Sequence, residues 1–498
     1  MNPLTVTKSR CSGFLLSGRA VWRPRPRHGP LAHCPSPIAH RPGGGGVFDG
    51  RLTPAGCRPR PPAGVTTVAF YRGDPTGAHK ALRARMGLVL AQNPWLAAHL
   101  IKVKGMKRPQ LFFPPVVDGE QTSKALVHLA EPSALLRYGC TYGELHRAIN
   151  GTALEVCEGS KLVNKNVPIV SVTVVPEAAG GDAGGDTGGD AGAGPGPGAS
   201  EGAFAVVVSL SHTVCDGHTF TAVKNMLREG EPVVALDPSR PAGPDVVTQR
   251  FRRAFGAVSS GEGDVDTDDR GPDWERCRPR SRQDACEYLM GPGVLFNFIF
   301  KALTQRKHLS IRVVHKGTVA QAKANEEGLV EYVSTNDVIT SDFFKLCGCR
   351  NGHMAVNTRG RVEGCGEKDS SNLEFAIMFN PADFASPSLI RKSIARLRRA
   401  AEPLTRFPWW IRRPFCRLAL CTSWATNAKE VTIPGCEHRL NLPYLDPGFI
   451  PCEACIVFRP RDGETAALTF TTIDMDKLDI FSRGCFGDRL VGISATLK

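Results

Sequence analysis

AFAVVVSLSHTVCDGHTF, residues 203–220, is the stretch that organises this chain. Phe204 to Leu210 is an almost unbroken run of apolar and β-branched residues, the composition of a buried strand. The run stops at Ser211. His212, Asp216 and Gly217 follow, and HTFTAVKNMLREG then reads as a helix with Phe220, Val223 and Leu227 on one face. A histidine carried off the end of a buried strand can reach a cleft. A carboxylate four positions later can hold the turn in shape. The plain alternative is a turn in which His212 is simply packed and Asp216 caps the helix behind it. His218 reads as a solvated residue of the first helical turn, with a second base as the other reading. Cys215 reads as a small buried filler, because only His212 stands near enough to depress its pKa.

Upstream of the run, PIVSVTVVP (168–176) reads as a second strand. Between Ala178 and Gly202 lies GGDAGGDTGGDAGAGPGPGAS, a low-complexity loop. The simplest arrangement is a hairpin whose connection has been enlarged by insertion. Insertions are tolerated at exposed connections away from a site, so this loop belongs at the end of the strands opposite His212. Further upstream, VTTVAFY alternates as a strand, and HKALRARMGLVLAQ reads as a helix broken at Asn93-Pro94. Leu126 to Leu136 and Tyr142 to Ala148 read as short helices.

Residues 1–64 hold ten Lys or Arg and one acid, Asp49. They are rich in Pro and Gly and cannot bury a core, so they read as a disordered basic tail or as an organelle transit segment. This stretch carries most of the formal +14 of the chain. The remainder has no strong basic field, which argues against a nucleic-acid partner. With 498 residues, two domains are expected. The acidic, polar stretch 258–284 (GEGDVDTDDRGP within it) reads as the linker, dividing 65–257 from 285–498. The 17 cysteines have no framework spacing, which fits reduced thiols inside a cell, cytoplasmic unless the N-terminus directs import. No run approaches the ~18 apolar residues that span a bilayer. The apolar clusters near Val294 to Leu303 and Trp409 to Leu420 allow peripheral membrane contact, with a buried helix as the better reading.

In the second half, Leu289 to Leu303 reads as an apolar helix and LSIRVVH as a strand. VSTNDVITSDFFKLCG reads as a helix capped at Ser334, Thr335 or Asn336, with Val338, Phe343 and Leu346 inward. HMAVNTRGR reads as a strand ending in arginines. IVFRPRDGETAALTFTTI reads as a hairpin across Arg461-Asp462-Gly463. LIRKSIARLRRAAEPL reads as a basic helix whose Arg391 to Arg399 face is solvated or meets phosphates. Cys452 and Cys455 form a lone CxxC, and Cys347 and Cys349 precede His353. Neither supplies four zinc ligands, so no metal is expected. Strands and helices alternate irregularly, which points to α/β or α+β layers in each half.

SHTVCDGHTF resembles the active-site motif H-x-x-x-D-G of the chloramphenicol acetyltransferase-like superfamily, which includes BAHD acyltransferases and peptide-synthetase condensation domains. Three more segments match in order. MAVNTRGR (354–361) resembles the BAHD segment whose arginine pairs with the motif aspartate. CTSWATN (421–427) resembles the Thr-Ser-Trp segment near the acyl pocket. LPYLDPGFIP (442–451) stands where BAHD enzymes carry Asp-Phe-Gly-Trp-Gly, with Asp446 and Gly448 recognisable and the tryptophan missing. STNDV (334–338) also resembles a BAHD segment. Ser211 stands where condensation domains usually carry a second histidine. The resemblance covers residue 65 to the C-terminus and marks a diverged member.

The resemblance implies an α/β fold of two chloramphenicol-acetyltransferase-like domains, each a mixed sheet with flanking helices, with an active-site tunnel at their interface. It implies an acyltransferase, moving groups other than aminoacyl groups, that passes an acyl group from a thioester such as acyl-CoA to an alcohol or amine. His212 is then the general base. Thr422 or Trp424 donates to the oxyanion. Asp216 turns away from substrate to pair with Arg359, or with Arg361 in second place, and Gly217 gives the turn backbone freedom. The partners are a small-molecule donor and acceptor, with acyl-CoA a co-substrate rather than a bound cofactor, and the chain is expected to act as a monomer. A ligand- or carrier-binding protein of the same fold without turnover is the alternative.

Overall fold

The structure is a computed structural model that describes residues 64–178, 202–239, 296–297, 300–301 and 304–496, apart from short breaks at 106–108, 158, 398, 402–415, 448–449, 451 and 478–482. The N-terminal tail, the core of the Gly/Asp-rich loop, the 258–284 linker, most of the 289–303 helix and Gly448 lie outside the described residues.

The first half runs β1 (Val65–Arg72), α1 (Pro75–Gln92), β2 (His99–Ile101), β3 (Gln110–Phe112), α2 (Gly119–Leu126), β4 (Val127–Leu129), α3 (Tyr142–Ile149), β5 (Val170–Pro176), β6 (Ala203–Leu210) and α4 (Gly217–Met226). The second runs β7 (His308–Val314), α5 (Lys316–Ala324), α6 (Thr335–Leu346), β8 (Asn351–Asn357), β9 (Glu374–Phe379), α7 (Pro387–Ala395), β10 (Leu418–Ser423), β11 (Glu437–Tyr444), β12 (Glu453–Phe458), β13 (Ala466–Thr471) and β14 (Phe486–Arg489).

Two mixed sheets result. The five-stranded sheet has the order β11-β1-β6-β5-β4, antiparallel except for the β4–β5 pair. The seven-stranded sheet has the order β14-β7-β13-β12-β10-β8-β9, with β8, β10 and β12 parallel. The third is the β2–β3 pair. Alternation along β1 shows how the layers stack. Val65, Ala69 and Tyr71 face a core shared with α1 and α4, whereas Val68 and Phe70 face a second core that contains Ile456, Phe458 and Phe470 of β12 and β13. The two sheets therefore share an apolar layer on their inner faces. A third core fills the outer face of the larger sheet, where Phe343 and Phe344 of α6 and Ile390 and Ile394 of α7 pack.

β5 and β6 pair as an antiparallel hairpin from Val170↔Leu210 to Pro176↔Phe204. The Gly/Asp-rich insertion joins the Pro176 and Ala203 ends, while His212 follows the other end of β6. Ser334 begins α6 with a reciprocal capping box: its hydroxyl accepts from Asp337 N, and the Asp337 carboxylate accepts from Ser334 N.

Three expectations need correction. Residues 126–136 are not a helix. The helix ends at Leu126, and the chain enters β4, where Val127-His-Leu129 pairs with Val172 to Val174. The β-branched pairing partner outweighs a weak local helical pattern. The basic segment is helical only over Pro387–Ala395, and two of its arginines turn to buried carboxylates while Arg396 is exposed. Arg391 reaches the buried Asp337 at 2.6 Å, and Arg399 reaches the buried Asp383 at 2.7 Å. The sheets also do not separate at one point of the chain. β11, far along the second half, completes the five-stranded sheet by pairing with β1 from Thr66↔Tyr444 to Arg72↔Glu437.

Candidate active site

β6 delivers Ser211 to the turn with its backbone still paired, since Ser211 N donates to Ile169 O at 2.8 Å. The N–H groups of Val214 and Cys215 then fold back onto Ser211 O at 3.1 and 3.2 Å. This tight turn puts His212 at the sheet end, half-buried. Its Nδ1 lies 2.9 Å from Cys215 O. A carbonyl oxygen can only accept, so Nδ1 carries the proton and Nε2 is the basic nitrogen. Asn372 Nδ2 donates to His212 O at 2.7 Å and ties the turn to the second half of the chain. Cys215 is fully buried, with its thiol on Ser211 O at 3.3 Å, the contact of a packed filler.

Asp216 points the other way. It caps α4 through Thr219 N at 2.9 Å and accepts from Leu373 N at 2.9 Å. Arg359 grips it with both ends of the guanidinium, Nη1 to Oδ2 at 2.7 Å and Nη2 to Oδ1 at 3.2 Å. The remaining Arg359 contacts go to Asn357, Thr219, Asp369 O and Ser371 O. Both side chains are fully buried. Burial alone would raise the Asp216 carboxyl. Arg359 and the two N–H donors outweigh it and hold the group below the ordinary carboxylate value. Arg361 is exposed and makes none of these contacts.

Gly217 is the first residue of α4 and is not among the positive-φ positions. The expectation that it supplies backbone freedom is therefore corrected. An added Cβ would meet only Glu374 Oε1, at 3.7 Å. What Gly217 does at the site is donate its N–H to Glu374 Oε1 at 3.3 Å. His218 is not solvated as expected. Its ring nitrogens lie 3.3 Å from Glu367 O and 3.3 Å from Asn357 Nδ2, pinning α4 to the end of β8.

The far wall is the inner face of the larger sheet. Met354 and Val356 of β8, and Ala419 and Cys421 of β10, are buried against α6 and α7. Their neighbours on the opposite face, Ala355, Asn357, Leu420 and Thr422, are only half-buried although β8 and β10 are interior strands. On β9, Glu374 is exposed and Ala376 half-buried, and they pair with Asn357 and Ala355. The part-exposed row closes at Met378 and His353, which are buried. A furrow therefore opens beside the His212 turn and narrows along three strands. His353 Nδ1 lies 2.7 Å from Ala419 O, and burial pushes its pKa down to about 4, so it is neutral.

Trp424 packs against Phe220 of α4, ring centroids 6.4 Å apart, and its backbone N–H donates to Val457 O at 2.7 Å. Thr422 lies one turn of the pleat away on the furrow side of β10. Among the described residues no hydrogen bond links the side chain of either to His212. Asp446 stands 3.9 Å from His146 Nε2, outside the His212 turn. Among the described residues no group of three or more His, Cys, Asp or Glu side chains is arranged to hold a metal, and no helix is long and apolar enough to cross a membrane.

Glu374 is the site residue that the sequence reading missed. NLEFAIMF (372–379) alternates as a strand, and that pattern could have placed Glu374 on the face of Ala376 and Met378. Its side chain is exposed, yet protein surrounds the carboxyl. That desolvation, and secondly the Asp216 carboxylate, push the Glu374 carboxyl above its ordinary value, while His212 pulls it the other way.

No family model matches the chain, and no curated protein sequence matches it. Among solved structures, it is similar to F. sporotrichioides TRI101 complexed with coenzyme A and T-2, at 11% identity and a TM-score of 0.46, covering 84% of this chain and 93% of that one. Vinorine synthase aligns at 13% identity and a TM-score of 0.48, over 86% of this chain and 92% of its own. The first condensation domain of the CDA synthetase aligns at 13% identity and a TM-score of 0.43, over 82% and 86%.

Proposed function

We propose that this protein is an acyltransferase, a diverged member of the chloramphenicol acetyltransferase-like superfamily, that moves an acyl group from a thioester, acyl-CoA in the first instance, to a small nucleophilic acceptor. The observation that carries the reading is the opposed orientation of the two motif residues. Asp216 is fully consumed by Arg359 and the cap of α4, while the Nδ1–H of His212 is held on Cys215 O, leaving Nε2 as the base. A triad in which Asp216 orients His212 has no contact to support it.

The chemistry needs few groups. His212 Nε2 takes the acceptor's proton as the acceptor attacks the thioester carbonyl carbon. The resulting oxyanion needs a donor, and the Thr422 hydroxyl or the Trp424 indole N–H fills that role. Collapse breaks the C–S bond, and His212 returns its proton to the departing thiolate. The furrow over Ala355, Ala376 and Thr422 is the proposed substrate channel. The division into 65–257 and 285–498, with 258–284 as linker, is retained as a proposal for the two lobes, with β11 exchanged between them.

The test is thiol release from a panel of acyl-CoA donors by wild type and His212→Ala. Loss of a positioned general base is expected to lower kcat by roughly 10²–10⁴-fold. Equal inertness of both proteins would instead favour a ligand- or carrier-binding role, a reading motivated by the tryptophan missing after Asp446.

A further inference from the structure

We propose that Glu374 makes this an amine-selecting site, so that the acceptor is a primary amine taken up as its ammonium ion and the product is an amide. The inference rests on the acyltransfer reading and goes beyond it to name the acceptor class. Glu374 opens the furrow beside the His212 turn, and among the described residues its hydrogen-bond donor is Gly217 N at 3.3 Å. Among the described residues no cation pairs with it. The nearby cation, Arg359, is committed to Asp216. The recess at the proposed base therefore holds an unneutralised carboxylate in a desolvated wall, and a ligand ammonium is the group that satisfies it.

Proton counting supports the same conclusion. An alcohol loses one proton on acylation, and His212 suffices. An ammonium must lose two: one before nitrogen has a lone pair, and one as the C–N bond forms. Glu374 takes the first and releases it to water along its exposed side. The neutral amine then attacks the thioester carbonyl, His212 Nε2 takes the second proton, the C–S bond breaks, and His212 protonates the thiolate. Ammonium and thioester become amide, thiol and one proton. The upward push on the Glu374 carboxyl brings it closer to the range in which it can accept a proton from an ammonium. The charged groups facing it are Asp216 and Arg359, paired with each other, and the titratable neighbour is His212.

The experiment compares wild type, Glu374→Gln and His212→Ala with acetyl-CoA and matched acceptors: 2-phenylethylamine against 2-phenylethanol, and hexylamine against hexanol. Thiol release is followed and products are identified by mass. Wild type is expected to prefer each amine over its alcohol by about tenfold or more in kcat/KM. Glu374→Gln, close to isosteric, is expected to cut the amine rate by about tenfold or more and to cut it several-fold more than the alcohol rate. Raising the pH toward the amine's own pKa restores the Glu374→Gln rate in part, because the free base needs only His212. His212-dependent ester formation without amine preference, or equal losses on both acceptors in Glu374→Gln, overturns this inference and leaves the acyltransfer reading standing. Activity that is absent, or independent of His212, on every acceptor overturns both.

Discussion

At the residue scale the site turns on which groups are already satisfied. Asp216 and Arg359 use nearly all their hydrogen-bonding capacity on each other and on nearby backbone. Removing one partner strands a buried charge. Arg359→Ala or Asp216→Ala is expected to cost about 3–5 kcal/mol in denaturant unfolding, and the double variant less than the sum of the two singles. The pH dependence follows from the lowered folded-state value of Asp216. Its contribution is present above the ordinary carboxylate pKa and is lost as pH falls through the folded-state value. The stability gap between wild type and Asp216→Asn is therefore expected to be constant near neutrality and to shrink below about pH 4. A gap that grows on acidification would contradict the assignment. The pairing of Asp216 with Arg359 was readable only through the family resemblance. Composition and periodicity place an arginine at the end of β8 but say nothing about what lies opposite.

At the element scale, β8 matters most, because it carries Asn357 and leads into Arg359. It sits where it does because Gly352 lets α6 approach: a Cβ there would lie 2.5 Å from the Phe344 ring. Phe344 packs against Phe379 and Phe384, with ring centroids 6.2 and 5.3 Å away. Gly352→Ala is expected to destabilise by about 1–3 kcal/mol in thermal or denaturant unfolding, and to lower activity by shifting β8 against α4. A neutral result would show that the ring can move aside. The strand itself was legible from HMAVN. The glycine's role was not, because it depends on a helix end brought over it by the chain's path. β9 was missed for a related reason. It lies at the edge of the sheet, and its alternation carries no information about which turn Glu374 will meet.

At the scale of the whole molecule, the two sheets share an apolar layer and exchange a strand. β1 is flanked by β6 on one side and β11 on the other. A chain cut to residues 65–257 exposes the eight-residue edge of β1, otherwise paired with β11, and part of the shared layer. Such an edge is an aggregation template. The fragment is expected to be insoluble or to lack a cooperative unfolding transition, whereas residues 65–498 unfold cooperatively. A soluble fragment with a sharp transition would mean that β11 is an accessory.

The hairpin around the Gly/Asp-rich insertion, the capped α6 and the His212 turn follow from the sequence by itself. They depend on periodicity, capping chemistry and residues adjacent in the chain. The turning of Asp216 toward Arg359 came only from the family resemblance, and only the tertiary structure decided that β11 completes the first sheet and that Glu374 stands at the opening of the furrow. Each of these joins groups more than a hundred residues apart, and local preference carries no information about which distant strand end will meet which turn. The stretch at 203–220 thus specified the His212 turn, and packing between the two halves supplied what stands opposite it.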